Sequence, residues 1–133
     1  MKNIILKKLT SVKAIIPVLL LVLCSSFTDF VQKDDRLLGT WQSEEKDRVI
    51  EFVKNGDHYD AIIRDAQDKS LIGKKQITGI TQKSEGNFTG QLYVFQKNKE
   101  FPCKIQVKSD NKLVVTVKVA FVSKSMDWTK IKK

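Results

Sequence analysis

From residue 40 to the C-terminus, apolar and polar residues alternate with a period of two in short runs. That spacing turns one face of a β-strand to a core and the other to water. In 48–53, Ile50 and Phe52 share a face; in 58–64, Tyr59, Ala61 and Ile63 share one, leaving His58, Asp60 and Arg64 to face out. Between these runs Asn55-Gly56 marks a hairpin turn, since both residues tolerate positive φ. Segment 65–75 lacks alternation and reads as a loop. Strand sequence resumes over 76–81, turns at 84–87 and continues over 88–95 with Phe88, Leu92 and Val94 inward. A turn at 97–100 leads to the run 101–108, and after 109–111 the residues Leu113, Val115, Val117 and Val119 supply a whole inward face. Val122-Ser123-Lys124-Ser125 breaks the pattern ahead of a closing strand over 126–131.

With 40–43 this predicts eight strands and no convincing helix, an all-β domain. An up-and-down barrel follows, because closure removes the edges that an open eight-stranded sheet would expose to aggregation. A two-sheet sandwich is the rival that the same spacing permits. Closure is favoured by the tryptophans: Gly39 lets the chain turn in tightly, Trp41 plugs one end, and Trp128 would meet it if first and last strands pair. Eight strands enclose an interior that either packs solid or holds one small ligand.

Ahead of the strands, residues 1–26 read as a secretory signal: Lys2, Lys7, Lys8 and Lys13 precede an apolar run over 14–23, and Cys24-Ser25-Ser26 offers small residues for cleavage. Ten apolar residues interrupted by Pro17 are too few for a spanning helix, which needs about 20. Residues 27–37 then form a linker and 38–133 the barrel, in an exported, periplasmic or extracellular protein. A second reading takes Leu21-Val22-Leu23-Cys24 as similar to a bacterial lipobox, with the domain lipid-anchored through Cys24. Leu23 departs from the small residue normally found there, which favours ordinary cleavage.

Removing the leader changes the charge and the cysteine count. Four lysines and no acids go with it, so the formal charge drops from +9 to +5, mildly basic. From Lys97 onward ten lysines face Glu100, Asp110 and Asp127, a field suited to an anionic envelope surface, although a solvated outer face is the simpler reading. With three arginines in the chain, nothing calls for nucleic acid. Cys103 alone remains, which excludes an internal disulfide and a Cys-x-x-Cys motif. Its position on the face of Phe101, Ile105 and Val107 makes it a buried, inert thiol.

Gly39-Thr40-Trp41 opening a single eight-stranded unit resembles the lipocalin and fatty-acid-binding (calycin) signature, which implies a barrel with an apolar cavity. More of the chain, from about residue 38 to 131, resembles a bacterial exported family known as domain of unknown function 2147 (DUF2147), itself lipocalin-like. Gly39 and Trp41 carry the resemblance, with Leu71-Ile72-Gly73 stepping into Ile77 and Gly79, Gly90 with Tyr93, Asn98-Lys99-Glu100-Phe101, Leu113 with Val115, and Trp128-Thr129-Lys130. The chain departs from the family at Val94-Phe95, where a polar residue and a proline are usual, and at Lys118-Val119-Ala120-Phe121, where a glycine is usual. Its loop over 65–75 is also shortened. The resemblance implies fold and compartment and brings no established reaction.

An enzyme is disfavoured. His58 is the single histidine, with no nucleophile placed beside it, and Glu44-Glu45 and Asp57 with Asp60 sit near turns where solvated charge is normal. No cofactor and no metal is called for, and a monomer is expected. Two function classes remain. One is a carrier of a small apolar ligand, its cavity lined by Ile50, Phe52, Tyr59, Leu92, Phe101, Val115 and Val117 with Tyr59 as polar contact. The other is a solid barrel that works through its outer surface. Ala61, Gly79, Val115 and Val117 argue for interior space, and Phe52, Phe88 and Phe101 argue against it.

Overall fold

The computed structural model describes residues 34–132; the leader, the acylation reading of Cys24 and the linker up to residue 33 lie outside the described residues. Eight strands follow one another: β1 (Gly39–Ser43), β2 (Arg48–Asn55), β3 (His58–Ala66), β4 (Lys75–Ser84), β5 (Asn87–Val94), β6 (Lys99–Ser109), β7 (Lys112–Val119) and β8 (Val122–Lys132). Each pairs antiparallel with the next, and β8 returns to β1 with Lys130 opposite Trp41 and Trp128 opposite Ser43. The architecture is thus a closed up-and-down barrel rather than a sandwich. First and last strands pair as the two tryptophans suggest.

The period-two pattern produces the core. Trp41, Ile50, Phe52, Ile63, Ile77, Ile80, Phe88, Ile105, Leu113 and Val115 are all buried and belong to one cluster. Each buried aromatic ring removes roughly 150–250 Å² from water. At about 25 cal/mol per Å² such rings dominate the burial term.

Three expectations are corrected. Val122–Ser125 does not interrupt the last strand: β8 begins at Val122, and Ala120-Phe121 makes the turn, with Val119 opposite Val122. Gly79 contributes no interior space. It lies exposed in a bulge of β4, where Thr78 and Gly79 together stand against Asp60, and its φ of +59° is one that glycine adopts without strain. Asp60, placed outward and solvated by the alternation, is 2% exposed because that bulge and its neighbours cover it.

Candidate functional site

One end of the barrel is closed by the segment ahead of β1. Asp35–Leu37 forms a single 3₁₀ turn whose preceding residue, Asp34, caps it by accepting from the Arg36 backbone N–H. Leu37 is fully buried. Its carbonyl accepts the Trp41 indole N–H at 3.0 Å, and Lys130 donates to the Arg36 carbonyl at 2.6 Å while its ammonium stands 4.9 Å from the Trp41 ring centroid. Arg36 and Asp34 form a bidentate pair. The guanidinium hydrogen bond holds the Asp34 carboxyl below its ordinary range, outweighing desolvation.

Inside, the lining candidates do converge. Ile50, Phe52, Tyr59, Leu92, Val115 and Val117 are buried in the common cluster, and Phe101 packs against it half-buried. They are packed against further rings. Trp41 meets Phe52 edge-on at 6.5 Å and Tyr59 meets Phe88 edge-on at 5.9 Å. Gly90 belongs to this packing, since a Cβ there would come within 3.0 Å of Ile77 and Ile80 side-chain carbons. At the opposite end, Gln76 is buried, donates to the Tyr93 carbonyl and accepts from Arg48, tying β2 and β4 to β5. Beside it on the ladder, Arg48 N–H donates to the Ser43 hydroxyl, and Ser43 pairs with Trp128. The Arg48 Nε and Trp128 Nε1 donors are buried there without an acceptor among the described residues. Val94, Phe95, Phe101, Val119 and Met126 form a half-buried apolar rim over the core.

Two cavities lie on the outer wall. One, about 590 Å³, is lined by Gly79, Thr89, Gln91, Pro102, Lys104, Thr116, Lys118, Ala120 and Ser123, with Gly90 and Cys103 at its floor. The other, about 470 Å³, runs toward the closed end past Lys83, Asn87, Gln106 and Val114. Both include Thr89, Lys104 and Thr116, so they form one trough crossing β4 to β8. Its length is roughly 20 Å at the ordinary inter-strand spacing. Its charged groups are Lys83, Lys104 and Lys118, and among the described residues no carboxylate lines it. The run of lysines in the sequence points to Lys104 and Lys118 as part of a basic face. It does not assemble the trough, which draws on the outward positions of five strands.

The remaining candidate chemistry is accounted for by structure. The Asp60 carboxylate accepts from Asn55 at 2.9 Å and from the Gly79 N–H at 3.2 Å, and pairs with Lys75 at 3.1 Å. Burial would raise its pKa, but these three partners outweigh it and hold the carboxyl below its usual range. His58 is 3.1 Å from Asp57 through Nδ1 and 4.0 Å from Asp60 through Nε2. Cys103 is 4% exposed, and burial pushes its thiol up to about 11, so it is a poor nucleophile at neutral pH. Among the described residues no group of three or more His, Cys, Asp or Glu gathers as a metal site would require.

A closed eight-stranded up-and-down barrel with one end plugged by a 3₁₀ turn and an indole is a lipocalin-like fold. The chain is similar in fold to a solved structure, protein HP1028 from the human pathogen Helicobacter pylori, described as a member of the lipocalin family. The two share 16% sequence identity at a TM-score of 0.58, over 77% of this chain and 84% of that one. More specifically, the chain belongs to the DUF2147 family, uncharacterised proteins conserved in bacteria, whose family model matches residues 39–130. Among curated proteins none matches it.

Proposed function

We propose that this protein is an exported binding protein that works through the outside of a filled barrel, taking an acidic polysaccharide along the trough across β4–β8. The observation that carries this reading is the placement of space and charge. Inside, Trp41 packs on Phe52 and Tyr59 on Phe88, whereas two cavities join on the outer wall and present Lys83, Lys104 and Lys118 among Thr, Ser, Asn and Gln side chains, with no carboxylate among the described residues. An elongated groove with hydroxyls, amides and spaced ammonium groups suits a chain of carboxylated sugars: lysine supplies point charges and the neutral groups supply sugar hydrogen bonds. The protein acts by binding rather than by catalysis.

The test is calorimetric titration with an oligogalacturonate, and with neutral dextran as control. Binding of the acidic chain should weaken as salt rises through the physiological range, and Lys104→Glu should remove it. Equal binding of dextran, or an unaffected Lys104→Glu protein, sinks the reading.

A second reading, carriage of a small apolar ligand inside the barrel, is favoured by the buried donors of Arg48 and Trp128 beneath a half-buried apolar rim. A guest with an apolar body and one acceptor group would satisfy them. Val115→Trp separates the two readings. In a filled barrel it overpacks the core and costs about 1–3 kcal/mol. In a hollow one it folds normally and abolishes binding of a neutral probe such as N-phenyl-1-naphthylamine.

A further inference from the structure

The β7–β8 ribbon outgrows the barrel on both of its edges. On the β6 side the ladder ends at Cys103 opposite Val117, just before Pro102, which has no N–H to continue it. On the other side β1 ends with Ser43 opposite Trp128, and the last bond is from the Glu44 N–H to the Asp127 carbonyl. Beyond these points the two strands pair only with each other, up to Val119 opposite Val122. The turn residue Phe121 therefore stands about 13 Å along β7 from the last β6 pair and roughly 20 Å along β8 from the last β1 pair.

Its exposure follows from that position: Phe121 is 99% exposed and Val122 68%. The turn carries Ala120 at φ +56°, a left-handed conformation adopted without glycine. The ribbon is also basic. From residue 112 to 124 it carries Lys112, Lys118 and Lys124 and no acidic residue.

We propose that this tip is a membrane-docking finger, which sinks Phe121 and Val122 into the interface of an anionic bilayer while Lys118 and Lys124 contact its headgroups. Size chooses the partner. One ring and one valine offer a few hundred Å² of apolar surface, well short of the roughly 800 Å² per partner that a specific protein interface buries. A bilayer needs no matching surface, only an apolar tip and basic flanks. The proposal stands on Phe121 and Val122, which do not line the trough, although Lys118, Ala120 and Ser123 belong to both the ribbon and the trough wall. With two apolar side chains, docking is weak and reversible.

Site-specific fluorescence tests it. Phe121→Trp and Ile131→Trp place a reporter at the tip and on an exposed position near the barrel's closed end, in the full chain, so that anything the N-terminal segment does is common to both. Vesicles of brominated phosphatidylglycerol and phosphatidylcholine (1:2) should quench the Phe121→Trp reporter and leave the Ile131→Trp reporter unquenched; pure brominated phosphatidylcholine should quench neither strongly. Phe121→Ala should weaken vesicle binding between about tenfold and a hundredfold. Lys124→Glu should weaken it about fivefold or more. Equal quenching at both sites, no quenching at the tip, or concentration-dependent self-association abolished by Phe121→Ala would each overturn the proposal, the last in favour of a second copy of the chain.

Discussion

The two ends of this barrel are built on opposite terms. At the closed end the backbone carbonyls of Arg36 and Leu37 are claimed by Lys130 and Trp41, and Asp34 is matched by Arg36. At the other end a two-stranded ribbon leaves the cylinder and holds a phenylalanine in water. The difference shows where stability is concentrated and where the surface is left available for contacts. A family member could change its hairpin tip at little thermodynamic cost, whereas a change at the plug would reach every strand through β1 and β8.

Three substitutions test that contrast, in descending order of effect. Trp41→Ala should cost about 3–5 kcal/mol in urea denaturation, because it removes a fully buried ring, its hydrogen bond and the surface over which Lys130 sits. A loss below about 1 kcal/mol would mean that the plug is not what holds the ends together.

Next comes Asp60→Asn, expected to cost about 2 kcal/mol at pH 7 by leaving Lys75 and the Gly79 bulge without their anion. The pH dependence has a definite sign. The folded-state pKa of Asp60 lies below its ordinary value of 3.8, so its contribution is complete above that value and fades as pH falls through the folded pKa. The gap between wild type and Asp60→Asn should therefore narrow below about pH 4. A gap that stays constant into acid would remove the carboxylate from the account.

Phe121→Ala should change stability by less than about 0.5 kcal/mol, since the ring is fully in solvent. A larger loss would show that the tip supports the fold after all.

Alternation makes most of the strands legible in the sequence, and its failures have physical causes. Residues 122–125 carry no apolar rhythm because that part of β8 lies past the end of β1 and is exposed, with only β7 beside it. A strand covered along one edge alone leaves a weak period-two trace. Asp60 escapes the rule because its cover comes from a bulge in the next strand, and local sequence shows only Gly79 as a hint. The position of Trp41 marks it as a plug, but the partner that pins it, Lys130, comes from the far end of the domain; its signal is membership of Trp128-Thr129-Lys130 in the family resemblance. The interior candidates gather as the alternation requires, while the trough, being a property of five outward faces, has no sequence signature.

Barrel closure also has a temporal side. Seven of the eight strand pairings are hairpins between chain neighbours, which can form as soon as their own few residues are together. The eighth, between β1 and β8, and the lysine that locks it, must bridge 94 residues from Arg36 to Lys130. Such a contact bears the largest loop-closure entropy of the eight strand pairings and belongs to the late part of folding. The sealing tryptophan is thus made well before its clamp. A nascent chain still missing its final strand cannot close the barrel, however well its first seven strands have paired.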